Sequence, residues 1–339
     1  MAEPRRWGFS LPLEGLSLAE QRTAIVEAER NGYTDAWSLE VDGIDCFTPL
    51  AAAAAWSERL TVGTAIANVY TRTPSVLAMQ AAALAELAPG RCVLGIGSSS
   101  PAIVDDWGGL PFADPYRQVQ DATKILRGLL GGERVSFESG RFRVRNFRLS
   151  RPPAQPVPIY IAALREGMLR LAGRLGDGAI INWLSAEDVK QVAPIARAAA
   201  QQAGKDPQRF EIACRIFVCV TDDAAHTRQL AKRLITTYLT TPVYAAFHEW
   251  LGRGPALRPM LDAWAAGDRR GALAAVTDDL VDELVLIGSA ERCRERVQQY
   301  VDAGVTIPVL HFSPFAPNGT PGEQSVAALR GLRPSPSPR

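Results

Sequence analysis

The chain has 339 residues, 47% of them apolar, with 37 basic and 36 acidic side chains and a formal charge of +1. That balance gives no electrostatic case for nucleic acid or an anionic membrane as a partner. No apolar run is long enough to span a bilayer, and the length suits one large α/β barrel or two smaller domains.

In chain order, residues 7–11 are the first expected strand. Residues 18–30 follow as an amphipathic helix, carrying Leu18, Ile25, Val26 and Ala28 among charges and ending at Asn31-Gly32. Residues 33–39 are the second strand, leading to Glu40 and Asp42, and 49–57 an alanine-rich helix. Residues 60–67 are the third strand, before a helix opened by Pro74, and 92–97 the fourth. Residues 105–158 break the rhythm with a helix near 116–130 and a hairpin, 134–137 and 142–147, turned at Ser139-Gly140. The alternation resumes with strand 159–162, helix 166–175, strand 178–183, helix 186–203 and strand 210–220. Residues 222–288 read as an almost entirely helical insertion, before helix 290–303, strand 306–312 and a last helix at 323–332.

Eight strands alternating with helices predict a (β/α)8 TIM barrel with two insertions, about 105–158 after the fourth strand and 222–288 after the seventh. A single domain over 1–332 and a disordered Pro/Ser tail, 333–339, are expected. A doubly wound sheet is the weaker alternative, because Ser100 stands at the third glycine of G-x-G-x-x-G. The five cysteines, Cys46, Cys92, Cys214, Cys219 and Cys293, are scattered and lack C-x-x-C spacing. With no secretory stretch at the N-terminus, they point to reduced thiols in a cytoplasmic protein. The three histidines, His226, His248 and His311, sit in no ligand pattern, so no metal site is expected.

In a barrel, function gathers on the loops after the strand C-termini. The stretch R-C-V-L-G-I-G-S-S-S-P, 91–101, is a strand ending in a loop whose glycines admit a close ligand and whose serines can converge on a phosphate. The alternative is an ordinary strand-to-helix turn with a serine cap. Glu40 is weighed as a group touching ring or substrate or moving a proton, against a cap or surface charge. Asn182 and Trp183 end the sixth strand, where Trp183 reads as a substrate wall or as packing. Arg215, inside I-A-C-R-I-F-V, needs a partner, either a barrel carboxylate such as Glu40 or a substrate anion. His311 reads as a hydrogen-bonded core residue. Tyr244, Phe247, Trp250 and Trp264 read as a lid or as the insertion's own core.

The segments V-G-T-A-I-A-N-V-Y-T-R-T-P (62–74), 91–101 and Y-I-A-A-L-R-E-G-M-L-R-L-A-G-R-L-G-D-G-A-I-I-N-W-L (160–184) resemble the luciferase-like flavin monooxygenase superfamily. A weaker echo is G-S-A-E-R-C-R-E-R-V-Q-Q-Y-V-D-A-G-V, 288–305. The likeness is closest to its coenzyme F420-dependent, methylenetetrahydromethanopterin reductase-like branch. The resemblance implies a non-prolyl cis peptide at Ala65–Ile66 behind the ring, with Asn68 and Arg72 following it. It implies phosphate contacts from Ser98 and Ser99 and from Ala162, Ala163 and Leu164, with Gly97 and Asn68 also counted as cofactor-binding. Two departures stand out: Val41 replaces a proton-donating histidine of some relatives, and Ser100 replaces a glutamate. The expected activity is hydride transfer between coenzyme F420 and a C=C, C=N or C=O carbon of a small-molecule substrate, in a homodimer. An FMN-dependent monooxygenase and a flavin-binding protein without turnover are the alternatives.

Overall fold

The computed structural model describes residues 6–334. Eight parallel strands close into a barrel: β1 (Gly8–Leu11), β2 (Asp35–Ser38), β3 (Thr61–Thr64), β4 (Cys92–Gly97), β5 (Ile159–Ala162), β6 (Gly178–Asn182), β7 (Glu211–Val220) and β8 (Ile307–Phe312). Gly8 opposite Val309 closes β1 on β8. Every strand except the ten-residue β7 is short, and all are almost wholly buried, as parallel strands covered by helices on one side and barrel filling on the other must be. The expected barrel is therefore the fold, and the two irregular stretches fall after β4 and after β7. The disordered tail was expected on residues that, from 335 on, lie outside the described ones.

The outer helices follow from local sequence. Pro115–Leu130 starts at Asp114, whose carboxylate accepts from the Arg117 N–H, and buries Val119, Ala122, Ile125, Leu126 and Leu129 along one face. Ala186–Gln202 opens with a reciprocal capping box between Ser185 and Asp188. Between β4 and β5 the hairpin Val135–Glu138 and Arg143–Phe147 forms as expected. The preceding turn, Ala102–Asp106, is a π-helical turn that the serine-rich stretch did not announce.

β7 corrects the helical reading of 222–288. Its first half pairs with β6, from Glu211 opposite Gly178 to Arg215 opposite Asn182. Its second half pairs with a further strand, Val285–Gly288, from Phe217 opposite Val285 to Val220 opposite Gly288. The wall between β6 and β7 thus parts above Asn182. A second core fills the gap, where Trp183 and Phe217 pack against Ile235, Leu239, Leu257 and Met260 of the insertion. Phe247 and Trp250 join the main core instead, while Tyr244 and Trp264 flank the second one.

Inside the barrel, Trp37, Val93, Tyr160, Ile180, Ala213, Ile307 and Val309 form one apolar column. Its lower end is closed by Arg6, which pairs with Asp35, lies 3.8 Å from Glu211 and reaches the Tyr160 hydroxyl at 3.3 Å. Its upper end is made of Ala65, Ile66 and Ala162, all half-buried. The column is therefore sealed at the strand N-termini and open at their C-termini.

Candidate functional site

Three strands bring the expected ring-contacting residues together. The Ala65–Ile66 peptide is cis, as the resemblance implied. A methyl added to Gly97 would lie 2.9 Å from Ala162 Cβ and 3.1 Å from Ile66 Cγ1, so β4 needs glycine there for these neighbours to close over it. Gly97 is thus required by the packing of the floor itself. The result is a small, apolar floor of Ala65, Ile66 and Ala162 at the top of the barrel filling. Beside it Asn68 is 2% exposed and opposes Gly97. Its Oδ1 accepts from the Tyr70 N–H at 2.8 Å, but its buried Nδ2 has no acceptor. An uncompensated buried donor costs stability unless a ligand takes its hydrogen bond.

Two loops flank this floor. Ser98 and Ser99 are half-buried, and Ser99 holds a left-handed φ of 60°. The capping alternative falls on Ser100, whose carbonyl accepts from the Val104 N–H at 3.0 Å and whose hydroxyl faces the Ile103 N–H at 3.5 Å. Neither Ser98 nor Ser99 is engaged as a cap. On the other side, Glu166–Leu175 begins at Arg165 without any side-chain cap, and Gly167 in its first turn faces open space. Uncapped N–H groups at a helix N-terminus favour an anion. Leu164 lies half-buried just before this turn. Ala163 differs from expectation: it is buried, and its N–H is spent on the Ile180 carbonyl at 2.9 Å. Its backbone donor belongs to the barrel wall.

Glu40 pairs with Arg72 at 2.6 Å and accepts from the Cys46 N–H at 3.2 Å. Arg72 in turn lies over the Phe47 ring. Burial alone would raise the Glu40 carboxyl, but the Arg72 hydrogen bond and charge, with the Cys46 N–H, outweigh it and hold it below the ordinary carboxylate value. The pairing of Glu40 with Arg215 is therefore corrected. Glu40 lies in the loop after β2 and finds its cation in the loop after β3, the strand beside it, whereas β7 is on another side of the barrel. Because its folded value is depressed, Glu40 adds stability above its unfolded value of 4.5 and loses it as pH falls through the folded one. Glu40→Gln should cost about 1–2 kcal/mol at pH 7, between exposed and buried pairs. The gap from wild type should narrow as pH falls below 4.5 and close once pH is below the depressed folded value, where protonation removes the same charge. Urea unfolding of both proteins at pH 7 and in acid measures it, and a pH-independent gap would contradict the ion-pair account.

Trp183 is 1% exposed, clamped between Phe217 at 4.1 Å and Tyr238 at 4.5 Å, with a left-handed φ of 54°. It corrects the substrate-wall reading, since the half-buried aromatics over the mouth are Tyr238 and Tyr244. Asn182 donates to the Tyr244 hydroxyl at 3.2 Å. Tyr238 was not legible: at helical spacing beside Ile235 and Leu239 it reads as packing, and only the fold of the insertion carries its hydroxyl to 3.4 Å from Arg215. His311 stands half-buried on β8, edge-on to Phe217. Burial first, and the Arg215 charge second, push its pKa down to about 3, so the ring is neutral. Among the described residues no group of three or more His, Cys, Asp or Glu is placed to hold a metal, and no helix is long and apolar enough to cross a membrane.

Residues 6–306 match the model of the luciferase-like monooxygenase family. A 5,10-methylenetetrahydromethanopterin reductase of Methanolobus tindarius is 28% identical over 298 residues, covering 86% of this chain and 89% of that protein. Among solved structures, the coenzyme F420-dependent tetrahydromethanopterin reductase of Methanopyrus kandleri superposes with a TM-score of 0.80 at 22% identity, covering 98% of both chains. An F420-dependent secondary alcohol dehydrogenase, solved with an F420-acetone adduct, gives 0.76 at 19% identity and covers 98% of this chain and 100% of that one. The two structural likenesses speak for the barrel; the family match, spanning most of the chain, carries the assignment. The chain belongs to the luciferase-like monooxygenase family.

Proposed function

We propose that this chain is a coenzyme F420-dependent oxidoreductase, moving hydride between the deazaflavin and a C=C, C=N or C=O carbon of a small organic substrate. The observation that carries this reading is the meeting, at one barrel mouth, of a small apolar floor with two loops suited to an anion. A tricyclic ring on a phosphate-bearing chain has that shape and charge. Asn68 Nδ2, buried and without an acceptor, would take the ring's polar edge. Ser98, Ser99 and the first-turn N–H groups at Glu166 and Gly167 would take the phosphate. The two structural neighbours described above are named as F420-dependent, which supports the deazaflavin.

Bound deazaflavin supplies hydride chemistry itself, so this chain has to orient, exclude water and manage charge. Glu40, held as a carboxylate, fixes Arg72 rather than giving up a proton. Tyr238 and Tyr244 cover the mouth from the insertion. The protein works in this reading as one barrel domain, and it pairs as a homodimer in the cytoplasm.

The test is a side-by-side titration of purified protein with coenzyme F420 and with FMN, followed by turnover assays with each reduced cofactor. Tighter F420 binding with turnover in the absence of oxygen is expected. FMN binding equally or more tightly, with oxygen-dependent turnover, would hand the mouth to a monooxygenase. Binding with no turnover on any acceptor would leave a flavin-binding protein.

A further inference from the structure

Arg215 stands apart from the other sheltered arginines. Arg6, Arg72 and Arg253 each have a carboxylate: Asp35, Glu40, and Asp188 with Glu283. Arg197, Arg294 and Arg296 donate to backbone carbonyls. Arg215 is 8% exposed and, among the described residues, has neither. Its guanidinium lies 4.7 Å from the centre of the Phe217 ring, and one Nη donates to the Tyr238 hydroxyl at a long 3.4 Å. Its Nε is buried with no acceptor.

The strand alternation fixes where this charge lies. Ala213 belongs to the apolar column inside the barrel, so Arg215, two residues on, shares its inward face one layer nearer the mouth. In register it opposes Asn182 on β6 and Val309 on β8. The groups around it carry no negative charge: Asn182 is an amide, Tyr238 and Tyr244 are phenols, and His311 is a neutral imidazole. Asn182, Tyr238, Tyr244 and His311 are all half-buried, so this corner opens to the mouth. An unpaired buried guanidinium is costly, and in a binding site that cost is met when an anion arrives.

We infer that the barrel mouth selects a substrate bearing a carboxylate, which pairs with Arg215 while its unsaturated body lies against Tyr238 and Tyr244. The inference rests on the oxidoreductase reading of the same mouth and names the substrate class for it. Arginine's fork matches a carboxylate through two parallel N–H bonds, and Nε with one Nη is one such pair of donors.

The test uses benzoate and its neutral isostere benzamide as probes, titrated calorimetrically into the F420-loaded protein. Wild type should bind benzoate about tenfold or more tightly than benzamide, the worth of a charge-assisted pair. Arg215→Met should bring the two within about twofold, and Arg215→Lys should keep part of the preference. Thermal unfolding without added anion separates a structural role. Arg215→Met should match or exceed the wild-type Tm, because an unmatched buried charge has gone. Equal binding of the two probes by wild type, failure of wild type to bind benzoate, or a clear fall in Tm for both variants overturns the inference. Coenzyme F420 is titrated into the same proteins. Wild type that binds F420 but shows no benzoate preference defeats the carboxylate assignment alone. A benzoate preference that persists in protein unable to bind F420 defeats the oxidoreductase reading alone.

Discussion

Gly95→Ala should destabilise the protein by about 3 kcal/mol, although the same exchange in an ordinary strand interior gains roughly 0.5–1 kcal/mol. The sign turns on one close approach. A methyl on Gly95 would sit 1.9 Å from the Thr64 carbonyl oxygen and 2.5 Å from Ile180 Cδ1. Neither can yield cheaply. The Thr64 hydroxyl donates to the Gly95 carbonyl at 2.7 Å and accepts from the Gly95 N–H at 2.9 Å, all within the buried wall. Those two bonds continue the β3–β4 contact where the backbone ladder, Val62 opposite Cys92 and Gly63 opposite Val93, has ended. Thr64 is also the residue before Ala65, so displacing its carbonyl tilts the floor of the candidate site. Urea unfolding should show a lower midpoint with an unchanged slope, and F420 binding should weaken in the same variant. A Gly95→Ala protein with wild-type stability would mean that β3 and β4 tolerate a separation the packing here denies.

The barrel was legible where the apolar runs are short and bounded by turn residues. Ile159–Ala162 and Glu166–Leu175 fold over the residues expected of them, because I-Y-I-A is too short to be anything but a buried strand and E-G-M-L-R-L-A-G-R-L has clean helical spacing. The strand Val285–Gly288 was not legible. V-L-I-G follows D-D-L-V-D-E-L without punctuation, and what makes it a strand is the edge that β7 exposes after parting from β6, a property of the tertiary fold. The third strand was expected to run unbroken over 60–67. It stops at Thr64, and the chain pairs again only at Ala67 and Asn68, on the far side of the cis peptide.

The site shows the same division. Its floor and the two loops beside it lie on contiguous segments that resemble a known family, so residue order alone brought them forward as candidates. The charges around it do not lie on contiguous segments. Glu40 and Arg72 are 32 residues apart, and only the adjacency of β2 and β3 brings their loops together. Burial of Arg215 could be read from I-A-C-R-I-F-V, but which carboxylates fail to reach it could not. Gly97 shows a further limit: that its missing Cβ is what lets Ile66 and Ala162 close over β4 could not be read from sequence.

Replacing Ser98 and Ser99 together by leucine should weaken coenzyme F420 binding by about a hundredfold or more while the barrel stays folded. Each hydroxyl that meets a phosphate oxygen contributes about 1.5–3 kcal/mol, and about 1.4 kcal/mol is tenfold in affinity. Both residues are half-buried at the mouth, and neither serves as the cap of the following turn, a role that Ser100 fills through its carbonyl and hydroxyl. The Ser98 hydroxyl has only a long contact, 3.4 Å, to the Ser99 carbonyl, so little internal bonding is lost with it. Ser99 adds a conformational cost, since its φ of 60° suits leucine poorly. Part of any stability loss will come from that term, and Ser98→Leu alone isolates the hydrogen-bond contribution at an unstrained backbone position. The uncapped turn at Glu166 and Gly167 remains in all of these variants and should retain weak binding by its N–H groups. Fluorescence titration of the deazaflavin against wild type, Ser98→Leu and the double variant provides the measurement. Unchanged affinity in the double variant, with an intact circular dichroism spectrum, would move the phosphate away from the loop after β4 and leave the helix at Glu166 as its sole anchor.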